Sequence, residues 1–160
     1  MKRVRNYLPL VLSVMLGVFL QGIFVMTDNT ETPRKTALQF VKAYYLLDDA
    51  SMADQLCKVA LTEDRIGDYM HNMTKIAHAR GYGVNYFKSR LYDIHVATVE
   101  DSGDSAKIRI TGQRRTSMNP LFEYVAVLFR LGSPQPVDAV VHLVKEADQW
   151  KVCGESFDLS

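Results

Sequence analysis

From Tyr7 to Met26 the chain reads YLPLVLSVMLGVFLQGIFVM, a run with no charged residue. Twenty residues of helix rise about 30 Å at ~1.5 Å each, the thickness of a bilayer's hydrocarbon core. Lipid offers the backbone no hydrogen bonds, so such a run in a membrane has to be helical, with its amides paired internally. Pro9 falls in the first turn, where its missing N–H costs little. Lys2, Arg3 and Arg5 precede the run, and the first acid is Asp28. Basic residues on one flank mark the cytoplasmic side. The expected layout is a cytoplasmic basic tail (1–6), a transmembrane anchor (7–26), a linker (27–32) and one extracytoplasmic domain (33–160).

A cleavable signal peptide has a shorter apolar region, closed by a small-x-small cleavage site. Here the run ends Gly22-Ile-Phe-Val-Met-Thr27, with no such site, so a retained signal-anchor is expected. A helix of the globular core would have to hide an apolar surface on every side, and fits less well. The implied location is a bacterial inner (cell) membrane, crossed once, with the domain periplasmic or extracellular. Residues 7–26 then have membrane lipid as their partner.

The polar remainder carries no large charge. Without Lys2, Arg3 and Arg5 it holds 16 Lys and Arg against 18 Asp and Glu. Nucleic-acid binding normally needs a clustered basic face, so nucleic acid is not expected as a partner. Gln113-Arg114-Arg115 is the local exception and reads as a solvated strand end.

Three helical stretches open the domain. Thr32-Pro33 is an N-cap followed by proline at the first helical position. Ala37, Phe40, Val41, Tyr44 and Leu47 then recur at helical spacing until Asp48-Asp49. Ser51-Met-Ala-Asp54 has capping-box spacing and predicts a second helix carrying Leu56, Cys57 and Val59. Thr62-Glu63-Asp64 precedes a third stripe, Ile66, Tyr69, Met70, Met73, Ile76 and Ala77, stopped by Gly81.

After Gly83 the period becomes two. Tyr92, Ile94, Val96 and Thr98 alternate with Asp93, His95 and Ala97, and Asp101–Asp104 forms a turn. Ala106, Ile108 and Ile110 alternate with Lys107, Arg109 and Thr111. Phe122–Leu131 is apolar on both faces and predicts a central strand; Ser133–Pro136 is a breaker. Val137–Val144 and Trp150–Phe157 predict a last hairpin around Ala147-Asp148-Gln149. Short connections imply an antiparallel sheet, giving an α+β fold of three helices packed on one face of a curved sheet.

PRKTALQFVKAYYLLDDASMADQLC and VVHLVKEADQWKVCGESF, with Val141, Leu143, Trp150, Lys151 and Val152 in the final hairpin, resemble the nuclear transport factor 2-like (cystatin-like) superfamily. The resemblance covers residues 33–157. It implies a cone-like domain and functions ranging from isomerases and dehydratases to protein-binding scaffolds, with the open sheet face often forming dimers. An anchor followed by such a domain also resembles the bitopic scaffold subunits of bacterial secretion machines.

Cys57 and Cys153 are the only cysteines, and two readings stand: a disulfide, or two buried thiols. Their separation is not a zinc or redox spacing, and no metal or cofactor is expected. His71 and His78 lie two helical turns apart, not at the i, i+4 spacing of ligands. Asp93 and His95 share one strand face, solvated if Ile94 and Val96 face the core. They are acid–base candidates only if that face lines the cone. Tyr44, Tyr45, Tyr69 and Met70 read as core, though Tyr44 and Tyr69, with Asp93, His95 and His142, are the candidates for a pocket between helices and sheet. No catalytic motif is present in the sequence.

The expected function is a membrane-anchored module, without catalysis, that binds itself or an envelope protein. Lys107, Arg109 and Thr111 would border its interface. The alternative is a small-ligand-binding or isomerase-like domain using the pocket.

Overall fold

The computed structural model describes residues 8–28, 31–116 and 134–154. The chain divides into two compact units, Met1–Glu31 and Thr32–Ser160. The first contains helix α1, Leu8–Asp28. Side chains of α1 are described over residues 11–21, and all of them are exposed. Among the described residues no helix is long and apolar enough to cross a membrane.

The second unit is α+β, with helices on an antiparallel sheet. Helix α2 (Pro33–Leu46) starts where the sequence places it, with Lys35 N–H donating to Thr32 Oγ1 at 3.3 Å. Its buried face holds Ala37, Phe40, Val41 and Tyr44. Fully burying a side chain such as Phe40 stabilises the fold by roughly 1.5–3 kcal/mol. The helix ends at Leu47, which adopts a left-handed conformation (φ 52°) and returns its N–H to Ala43 and Tyr44.

Among the described residues of this unit four helices pack, not three. Helix α3 (Asp49–Gln55) is capped by Asp48 rather than Ser51: the Asp48 carboxylate accepts from Ser51 N–H at 3.1 Å and from its hydroxyl at 2.8 Å. The expected second helix then breaks. Leu56 forms a parallel bridge with Val152, and Cys57 N–H donates to the Val152 carbonyl at 3.0 Å. Tertiary pairing with the last strand outweighs local propensity here. Helix α4 (Lys58–Thr62) follows, then α5 (Arg65–Ala79) and a 3₁₀ turn, Val84–Phe87.

The sheet runs β1 (Ser89–Asp101), β2 (Ser105–Thr116), β3 (Gln135–Glu146) and β4 (Gln149–Val152), each antiparallel to the next. Register pairs Ala106 with Leu143, Ile108 with Val141 and Ile110 with Ala139, all buried against α2 and α3. Lys107, Arg109 and Thr111 therefore face away from the helices. Pro136 lies inside β3, next to its first residue, so the expected breaker is a strand start. The last hairpin turns through Ala147 and Asp148, both at positive φ, the geometry of a two-residue turn. Strand β4 ends at Val152, earlier than expected. The central strand expected at 122–131 and the end of the last hairpin (155–157) lie outside the described residues.

Strand β1 departs from simple alternation. Tyr92 pairs with Gln113 and His95 with Thr111, so Asp93 and Ile94 together oppose Gly112. Asp93 has φ 50°, and a Cβ on Gly112 would lie 3.1 Å from the Tyr92 carbonyl oxygen. This bulge turns Tyr92 onto the same outer face as His95, while Leu91, Ile94 and Val96 pack against the core. The expected grouping of Tyr92 with Ile94 is thereby corrected: one extra residue reverses the parity of everything before it. A second bulge at Val99 bends the strand again.

Candidate functional site

In the core between helices and sheet, α2 supplies two consecutive tyrosines near its C-terminus. The Tyr44 and Tyr45 rings meet edge to face at 5.2 Å, and Tyr69 of α5 stacks on Tyr44 at 4.4 Å. The last carbonyls of a helix lack helical partners. At Tyr44 the Leu47 N–H supplies one at 3.2 Å, and the Tyr69 hydroxyl adds a second donor to the same carbonyl at 3.1 Å. Burial pushes the Tyr69 hydroxyl well above the ordinary tyrosine range, and the neighbouring Tyr44 and Tyr45 push the same way. Tyr45 is also raised by burial, against an opposing pull from Arg114. Both hydroxyls therefore stay protonated near neutrality and offer no base.

Arg114 is on the helix side of the sheet, its guanidinium 5.2 Å from the Tyr45 ring centroid, with Nε donating to Gln135 Oε1 at 3.1 Å. Arg115 points to the other face and lies over Tyr92 at 5.6 Å. Among the described residues its Nε and the Tyr92 hydroxyl are buried without a hydrogen-bond partner. The expected solvated strand end is thus two inequivalent arginines, each set on an aromatic ring. Nothing in the spacing of adjacent arginines separates these roles; the sheet's parity does.

Of the five pocket candidates, Tyr44 and Tyr69 are brought together and the other three are dispersed. Asp93, His95 and His142 are all exposed. His95 sits opposite Thr111 and His142 opposite Lys107, four residues further along β2. Asp93 and His95 do not face the tyrosine stack. His142 contributes to a cavity of about 140 Å³ with Glu100, Ser102, Lys107 and Val144, on the outer face.

That outer face carries cross-strand ion pairs. Lys107 Nζ lies 2.7 Å from Glu100, and Arg109 grips Asp138 with both Nε (2.7 Å) and a terminal nitrogen. The Arg109 hydrogen bonds hold the Asp138 carboxyl below the usual carboxylate range. Val140, opposite Arg109, is 42% exposed between these charges.

At the opposite edge, Cys57 and Cys153 are joined in a disulfide, with Cα atoms 5.5 Å apart. Cys57 is fully buried. Sulfurs and one Glu146 carboxylate oxygen all lie within 4.8 Å of one another. Lys58 N–H donates to Glu146 Oε2 at 3.4 Å, from the start of α4. Glu146 also lines an open hollow of about 600 Å³ between α3–α4 and the last hairpin, with Asp54, Lys58, Leu61, Gln149 and Lys151. Sequence reading missed Glu146, because only hairpin register brings it to the cysteines.

No protein-family model matches the chain, and neither does any characterised protein. The class the structure defines is an α+β domain whose helices cover one face of an antiparallel sheet.

Proposed function

We propose that this protein is a membrane-anchored, extracytoplasmic interaction module of the nuclear transport factor 2-like architecture, acting without catalysis of its own. The observation that carries this reading is the tyrosine stack. The space in which enzymes of that architecture would hold a ligand is filled by the rings of Tyr44, Tyr45 and Tyr69; burial raises the Tyr45 and Tyr69 hydroxyls, and the latter is bonded internally. The outer sheet face, with Arg109, Asp138 and exposed Val140, is then the working surface, toward a second copy or an envelope protein.

The anchor reading rests on the uncharged sequence run Tyr7–Met26, within which the described Leu12, Met15 and Phe19 of α1 present an exposed apolar surface. Such a surface is costly in water and at home in lipid. Lys2, Arg3 and Arg5 would hold the segment before this run on the cytoplasmic side.

Two measurements test this. A reporter fused after Ser160 should work only outside the cytoplasm; activity only inside overturns the topology. A photo-crosslinker at Val140 should give a discrete adduct with a second copy or one envelope protein. A strict monomer by sedimentation, with no adduct from Val140, overturns the interaction surface.

A further inference from the structure

The fold brings Cys57, at the start of α4, and Cys153, just past β4, together with Glu146 near the end of β3. Structural disulfides need no acid beside them. Thiolate and carboxylate together are donors that zinc accepts, at ~2.3 Å for sulfur and ~2.0–2.2 Å for oxygen, with four ligands in all. A solvent molecule entering through the hollow that Glu146 lines would fill the fourth position.

We propose that Cys57, Cys153 and Glu146 form a site for a thiophilic divalent cation of the zinc class, closed in the oxidised chain by the disulfide and opened by its reduction. The opening step balances as a thiol–disulfide exchange. A dithiol reductant attacks one sulfur, the Cys57–Cys153 bond breaks, and the reductant leaves as its own disulfide, having delivered two electrons and two protons. Two thiols result. The cation then takes both sulfurs as thiolates, displacing two protons to solvent, and Glu146 as the third ligand. Little backbone movement is required. With the Cα atoms 5.5 Å apart, rotation about the side-chain bonds lets the sulfurs part to the spacing of two ligands on one tetrahedral ion. The Lys58 amide holds the Glu146 carboxylate on the same side.

The test uses the full-length chain in detergent, reduced with a phosphine and titrated with cobalt(II), then competed with zinc(II). The expected result is one equivalent of cobalt, a sulfur-to-cobalt charge-transfer absorption, loss of that absorption on adding zinc, and none of it in the oxidised protein. E146Q should weaken zinc affinity by about tenfold or more, as loss of a group supporting a metal does. The C57S/C153S double variant should bind no cobalt in this way. Circular dichroism of the reduced chain and binding by the urea-unfolded chain are measured alongside. Absence of the charge-transfer band after reduction overturns the site. So does binding that is unchanged in E146Q or equally tight in the unfolded chain.

Discussion

The hydroxyl of Tyr69 caps the helix that carries its own stacking partner: it bonds the Tyr44 carbonyl at 3.1 Å while its ring lies 4.4 Å from the Tyr44 ring. Tyr69→Phe keeps the stack and the Leu47 N–H bond but removes the second bond to the Tyr44 carbonyl, so it should cost about 1 kcal/mol, the net worth of one such bond. Tyr69→Ala removes the stack as well and should cost about 3 kcal/mol, as aromatic truncations in packed sites do. Urea denaturation of the three proteins checks the order; a Phe variant as damaged as Ala would refute the capping role.

The same tyrosines set an alkaline limit. Burial raises the Tyr69 and Tyr45 hydroxyls above their unfolded value near 10. Above ~pH 10 the unfolded chain releases protons that the folded chain retains. Stability is therefore complete below that pH and declines as pH rises through the folded values. Urea midpoints should be flat from about pH 7 to pH 9 and fall by about pH 11, less steeply in Tyr69→Phe. An equal slope in both proteins would assign the alkaline loss to other groups.

On the acid side, Asp138 is the group to watch. Arg109 holds its carboxyl low, so the pair's contribution is present above ~pH 4 and is lost as pH falls through the lowered value. In a carboxyl NMR titration Asp138 should have its midpoint below that of an unpaired aspartate. Arg109→Gln should move it back up, and high salt should do so in part. A midpoint indifferent to Arg109 would leave the pair without an energetic role.

The disulfide closes a loop with a sequence separation of 96. On the chain-entropy account, a loop of that size contributes up to about 4–5 kcal/mol by restricting the unfolded chain. C57S/C153S should lower the unfolding free energy by an amount approaching this figure. A loss under about 1 kcal/mol would place the constraint elsewhere.

Gly112 is where β1 folds over β2. Gly112→Ala brings a methyl to 3.1 Å from the Tyr92 carbonyl oxygen and 3.3 Å from that of Asp93. The expected cost is about 1–2 kcal/mol, the range for overpacking, with faster hydrogen exchange confined to residues 92–95. Unchanged exchange there would mean the bulge absorbs the methyl freely.

Much of this architecture is legible from hydrophobic period alone. The α2 stripe, the alternation of Ala106, Ile108 and Ile110, and the change of period after Gly83 each follow from burial of one face. What escapes the sequence is set by pairing at a distance. Leu56 and Cys57 sit in a helical pattern, yet Val152 draws them into a bridge. Tyr92 alternates correctly with Ile94, yet the bulge at Asp93 reverses its face. Glu146 meets the cysteines only through hairpin register. The tyrosines of the site were visible as a stripe; Arg114 was not, because adjacent arginines carry no sign of which one turns inward.

Leu56, Cys57 and Val152 also impose an order in time. Cys57 is made early and stays a thiol until almost the whole domain has been synthesised, because its partner follows the last described strand. Between Cys57 and Cys153 the sequence holds no other cysteine, so this stretch offers Cys57 no wrong partner of its own. Over the sequence separation of 96 between the two cysteines, a wrong thiol pairing of Cys57 would have to come from outside that stretch, so crowding of nascent chains bears on it more than internal misfolding.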